Sequence, residues 1–215
     1  MWTTTDAAVI QKIKDGTVSL NDLAGATQLG LAAGDLLNDC ATTGNGCTDV
    51  YAVSIPGVKP ARFITWFQAA AAARNAGKRL PTNAEWQAAA LGTPDEADDN
   101  LDTCNTTSDG IVGNDPVDTG SRMKCSSNVG AFDMVGNLWE WAADWVPRST
   151  GCVTALFAGD LNCLAGADNS GTGTGPGALV RGGSFNFGTG AGVFAVVGGV
   201  TPAQEFDNFG FRAAR

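Results

Sequence analysis

The side chains able to do chemistry in this sequence are six cysteines and a set of carboxylates; histidine is absent. Without histidine there is no Ser–His–Asp or Cys–His relay, no His-ligated zinc or iron, and no imidazole pH switch. Carboxylate, thiol or hard-metal chemistry remains, or binding without chemistry. Cys40, Cys47, Cys104, Cys125, Cys152 and Cys163 fall into three pairs along the chain. None forms a CxxC, and the spacing does not suggest four thiolates around zinc. Local disulfides are the favoured reading, Cys152–Cys163 or Cys104–Cys125 foremost; the alternative is buried free thiols.

The 22 acidic residues outnumber the 13 basic ones, for a net charge of −9. Generic nucleic-acid binding is therefore not expected, because phosphate affinity comes from Lys and Arg. Only 16% of residues are charged and 29 are glycine, which points to a soluble chain rich in turns and loops. No apolar stretch reaches the ~18 residues of a membrane span. The start, Met1 to Asp6, has neither a basic n-region nor an apolar h-region, so no signal peptide is visible and the compartment stays open.

Several elements must position whatever site exists. Residues 6–15 read as a short helix capped by Asp6, with Val9, Ile10 and Ile13 on one face. Residues 17–48 are Gly-rich, and 1–48 are expected to form an N-terminal extension of unknown role. Residues 49–58 look like a strand stopped by Pro56-Gly57. Thr65-Trp66-Phe67-Gln68 opens an alanine-rich helix that ends before Gly77. Thr82 and Glu85 form a capping box for a helix over 83–91, whose Trp86, Ala89 and Ala90 read as core. Residues 92–128, with Asp109-Gly110 and Asp115-Pro116, read as a long polar loop. Residues 151–178 read as a second loop, ending in the run Gly171 to Gly177. Val193 to Val196 and Phe209 to Phe211 read as core strands. The pattern is α+β rather than alternating βαβ.

Two motifs carry more. One is Gly130-Ala-Phe-Asp133-Met-Val-Gly136-Asn137-Leu138-Trp139-Glu140-Trp141-Ala-Ala-Asp144-Trp145; the other runs from Leu179-Val-Arg181-Gly-Gly-Ser184-Phe185 to Asn208-Phe-Gly-Phe-Arg212. With Lys78-Arg-Leu-Pro-Thr-Asn-Ala-Glu-Trp86, they resemble the formylglycine-generating enzyme (sulfatase-modifying factor) family over residues 50–215. The resemblance implies a C-type-lectin-like α+β domain of two helices, short antiparallel strands and long irregular loops, spanning 49–215. It also implies a structural calcium ion held by Asp133, the carbonyls of Gly136 and Leu138, and Glu140. Hard oxygens around a glycine turn suit calcium. Alternatively, Glu140 pairs with a buried arginine, Arg181 or Arg212. Trp139, Trp141 and Trp145 read as core anchors. Arg181 and Arg212 are expected to pin the two ends of the last segment through ion pairs or backbone bonds.

The same resemblance assigns oxygen activation to a copper-bound cysteine pair after Arg-Gly-Gly-Ser, yet residues 181–215 contain no cysteine. Ergothioneine-type oxygenases of this fold need histidines. No enzyme activity and no redox cofactor are therefore expected. The segment from Phe185 to Arg212 further resembles the variable region, about 181–212, of proteins diversified by diversity-generating retroelements. There, template adenines are randomised, so Asn codons become codons for Phe, Gly, Val or Asp. Restoring Asn at Phe187, Gly190, Val197, Gly199, Val200, Phe206 and Asp207 gives an Asn-dotted template. Glu205 needs a different codon or is not variable, and Phe185 is a weaker candidate that can be a fixed core aromatic. These nine positions are the candidate ligand-binding residues. Phe187 and Phe206, with Asp207, resemble an aromatic paratope, unless both are ordinary core. The expected partner is a macromolecule, a protein first. The alternative is a non-diversified structural or carbohydrate-binding member of the family.

Overall fold

The computed structural model describes residues 1–36, 40–95, 103–106, 115–157, 159–167 and 171–215. The expected turn at Asp109-Gly110 lies outside them. Three helices are present among the described residues, one more than the family resemblance implies. Helix α1 (Ala7–Asp15) starts where the Asp6 carboxylate accepts the amides of Ala8 and Val9, and stops at left-handed Gly16. Helix α2 (Trp66–Asn75) and helix α3 (Asn83–Ala90) each open on a full capping box, Thr65/Gln68 and Thr82/Glu85. Arg79 grips the Glu85 carboxylate with two 2.6 Å bonds. Helices this short depend on packing, and each buries one side: Ile13 in α1, alanines in α2, Trp86 in α3.

A small antiparallel sheet has the order β2-β1-β3, from Trp2–Thr3 (β1), Thr27–Gln28 (β2) and Val50–Tyr51 (β3). The larger sheet has the order β5-β7-β6-β4-β8. Its members are β4 (Trp139–Ser149), β5 (Asn162–Cys163), β6 (Thr172–Arg181), β7 (Val196–Val197) and β8 (Phe209–Phe211). Strands β4 and β6 run antiparallel, and β8 lies parallel to β4 with Trp139 opposite Phe209.

Four expectations change. The strand expected over 49–58 is only β3, because after Tyr51 the chain leaves the ladder and the Ala52 amide donates to the Ala72 carbonyl of α2. The run 171–177 is not loop: it forms most of β6, with Pro176 opposite Pro147. Gly177 is needed there, since a Cβ would lie 2.0 Å from the Gly198 carbonyl. Residues 1–48 are not set apart from the rest. Trp2, Ile13, Leu23, Leu29 and Leu36 share one core with Trp139, Trp141, Val180 and Phe209, and β1 pairs with β3. Finally, Phe194 is 43% exposed and Trp145 44%, so neither is the core residue its pattern suggests. Trp145 instead packs edge-on against Trp66 and Phe67. Disulfides join Cys40–Cys47, Cys104–Cys125 and Cys152–Cys163, the three sequential pairs.

Candidate binding face

The Gly130–Trp145 motif builds a rigid frame. Trp139 and Trp141 are buried, and the Trp141 indole donates to the Ile64 carbonyl at 2.8 Å. Glu140 is buried beside them and is held by two protein side chains. Arg212 donates from Nε to Oε2 and from Nη2 to Oε1, both at 2.6 Å, and the Trp86 indole donates to Oε2 at 2.7 Å. Such a bidentate pair is strong and directional. Burial opposes the Arg212 charge, but the Glu140 and Asp133 carboxylates outweigh it and raise its pKa. Of the two arginines open to Glu140, Arg212 takes it.

Arg181 pins the other end through backbone. It donates to the carbonyls of Ala195 at 2.9 Å and Val193 at 3.1 Å, bonds Gln87, and lies 4.5 Å over the Trp86 ring. Burial pushes its pKa down to about 10.

The two carboxylates named for calcium, Asp133 and Glu140, are drawn into other work. Asp133, at φ 58°, accepts the Gly120 amide at 2.8 Å, and burial raises its carboxyl pKa. Gly136 donates its amide to the Gly182 carbonyl, a bond that does not use the Gly136 carbonyl named for calcium. Between them and buried Leu138, the Asn137 side chain accepts the Val117 amide and donates back to the Val117 carbonyl. Both Glu140 oxygens are already held by cationic Arg212 and the indole. A dication held here would have to sit against that guanidinium. Among the described residues no group of three or more His, Cys, Asp or Glu side chains is placed to hold a metal.

The nine candidate binding residues divide by burial. Phe185 is 2% exposed and belongs to the frame, so it is withdrawn as a surface contact. Phe187, Gly190, Val197, Gly199, Val200 and Glu205 are half-buried, while Phe206 and Asp207 are exposed. Phe187 meets Trp139 edge-on at 5.0 Å, and Phe206 meets Phe209 edge-on at 4.9 Å. Trp139 and Phe209 are register partners, so the two candidate aromatics converge on one end of the sheet. Gly190 closes a 3-10 turn (Gly188–Gly190) and accepts the Leu161 amide. Val197 and Gly199 lie along β6 on its other side, where the Gly199 carbonyl accepts from Arg148. Val200 and Phe187 pack partly on the main core, and the Val200 carbonyl accepts the Ala178 amide.

Residues outside the C-terminal segment complete this end, and the sequence carried no signal for them. The Phe63 amide donates to the Phe206 carbonyl at 3.0 Å, with Phe63 itself at φ 55°. A bulky residue in that region is strained. Arg62 lies 5.1 Å over the Phe63 ring and ion-pairs with Asp115 at 2.6 Å.

The family model for the sulfatase-modifying factor enzyme 1-like domain matches residues 26–215. A formylglycine-generating enzyme from Thermomonospora curvata is 32% identical over 145 residues, covering 59% of this chain and 44% of the relative. The chain thus spans less than half the length of that relative. Among solved structures, the Major Tropism Determinant M1 variant aligns with a TM-score of 0.51 and 20% identity over 99% of this chain and 48% of its own. CarF aligns with a TM-score of 0.51 and 19% identity over 73% of this chain and 67% of its own. These alignments agree with the observed architecture, a C-type-lectin-like α+β fold. The chain belongs to the sulfatase-modifying factor enzyme 1-like domain family.

Proposed function

We propose that the chain is a non-catalytic binding protein whose 185–208 loops are diversified by a retroelement to vary ligand specificity. The observation that carries the reading is exposed Phe206, next to exposed Asp207, packed on buried Phe209 of a rigid frame that also holds Trp139, Trp141 and the Glu140–Arg212 pair. An exposed aromatic over a rigid base is how a binding surface gains affinity with little ordering of its own side chains. Catalysis is disfavoured by the cysteines: all six are in disulfides, and none lies in 181–215. The fold shared with a protein titled a tropism determinant variant supports a recognition role. No described helix is long and apolar enough to cross a membrane. The test is nucleotide sequence. A near-copy of the codons for 185–208, differing only at adenines and lying beside a reverse-transcriptase gene, is the expected finding. A complete genome without such a copy refutes diversification.

A further inference from the structure

Resting on that reading, we infer that this chain's own partner is a protein surface that is basic and apolar at the contact. A lysine or arginine of the partner meets Glu205 and Asp207, and an apolar side chain meets Phe206.

The charges around Phe206 set this preference. Asp207 is exposed, and among the described residues its carboxylate has no hydrogen-bond or ion-pair partner. Glu205 precedes Phe206, is half-buried, and likewise has no ion pair among the described residues. Partial burial and the nearby Asp35 charge both raise its carboxyl pKa. Asp35 is tied down, accepting the amides of Gly30 and Leu31 at 2.9 and 2.8 Å. Arg62 reaches this end, its Nη1 approaching the Asp207 carbonyl at 3.5 Å. Its charge is cancelled by Asp115 at 2.6 Å. Phe206, 41% exposed, thus lies in the chain between two carboxylates that have no ion pair among the described residues.

An aromatic face attracts cations, and adjacent carboxylates add to that attraction. An acidic partner would bring like charges together, which opposes binding. The net charge of −9 also steers basic partners towards the chain. A neutral apolar partner would leave both carboxylates half-desolvated without a partner.

The probes are three soluble peptides of equal length and apolar content, with lysine, serine or glutamate at the polar positions. Their binding to the full chain is read by fluorescence anisotropy at physiological salt. The lysine peptide is expected to bind at least about tenfold more tightly than the serine peptide, and the glutamate peptide more weakly still. The double variant Glu205→Gln/Asp207→Asn should erase that ranking. A remote control of equal charge change, Asp15→Asn/Asp49→Asn, should keep it, which separates the face from bulk attraction. Phe206→Ser should weaken all three peptides while keeping their order. Equal binding of the lysine and serine peptides, no binding by any of the three, or equal loss in the remote control overturns the inference. The result is independent of the genomic search. A template found beside a flat ranking fails this inference alone, and a clear ranking without a template fails only the diversification reading.

Discussion

Phe206 and Phe209 are three positions apart with ring centroids 4.9 Å from each other, yet Phe209 is 6% exposed and Phe206 is 41%. Phe209 begins β8, faces Trp139 across the ladder and stacks edge-on against Trp141 at 5.3 Å. The polar groups near it are matched: Glu140 to Arg212 and Trp86, and the Trp141 indole to Ile64. Phe206 sits on the preceding turn, its sequence neighbours Glu205 and Asp207 having no ion-pair partner among the described residues. The turn is anchored through main chain, by Phe63 and Trp66 donating to the carbonyls of Phe206 and Pro202. Backbone anchoring does not depend on side-chain identity. On the proposed reading this is how such a surface would accept substitution without unfolding, its path held by carbonyls and its support by a core a few residues away.

The largest effect should come from the frame. Phe209→Ala removes a buried ring against Trp141 and should lower unfolding free energy by roughly 3–5 kcal/mol in urea titration. Arg212→Met tests the polar half of the frame. It leaves Glu140 buried with only the Trp86 indole, and breaking such a pair costs about 3–5 kcal/mol. The double variant Glu140→Leu/Arg212→Met should recover part of that loss. A loss below ~1 kcal/mol for Arg212→Met would place Glu140 among the tolerant surface groups and blur the division.

Much of this division was legible in the sequence, for physical reasons. Capping boxes are local, so Thr65 and Thr82 marked α2 and α3. The disulfides close short loops and follow chain order. The strand within 171–177 was hidden because its composition, glycine with proline, is that of a turn, and only pairing with β4 gives it shape. Phe194 reads as core beside Val193 and Ala195, but it stacks on Phe157 at the surface instead. Arg62 and Phe63 escaped notice because their role is set by chain almost a hundred and fifty positions away, which no local pattern encodes.

A smaller effect is expected from Asp160, which ties the loop after Arg181 to the frame. Its Oδ2 accepts the Phe194 amide at 2.6 Å, and burial pushes its pKa up to about 6. The folded state thus binds this proton more tightly than the unfolded chain. The resulting stabilisation is full below about pH 4 and is lost as pH rises through about 6. Asp160→Asn keeps an acceptor oxygen and removes the titration. The stability of the wild-type protein relative to this variant should fall over that interval, by on the order of 1 kcal/mol after solvent screening. A flat difference from pH 4 to 7 would show that Asp160 is solvated and that its loop belongs with the open face.

Phe206→Ser and Asp207→Asn should each change unfolding free energy by less than ~1 kcal/mol, the range of surface substitutions. If Phe206→Ser matched Phe209→Ala, the turn would be part of the frame and not a replaceable surface.

The smallest expected effect is that of metal. Comparing thermal midpoints in excess chelator and in millimolar-order calcium should give no shift, since ions that bind only the folded state raise stability through RT ln(1 + [L]/Kd). The reason lies in Glu140, whose two oxygens carry the Arg212 fork. A frame sealed by a side chain responds to substitution of Arg212 and is indifferent to ions; a frame sealed by calcium shows the reverse. A clear calcium-dependent rise in midpoint in the wild type, absent in Glu140→Gln, would move the seal from Arg212 to a metal. It would also make the saturated half of the molecule conditional on its solution, while the face above it is not.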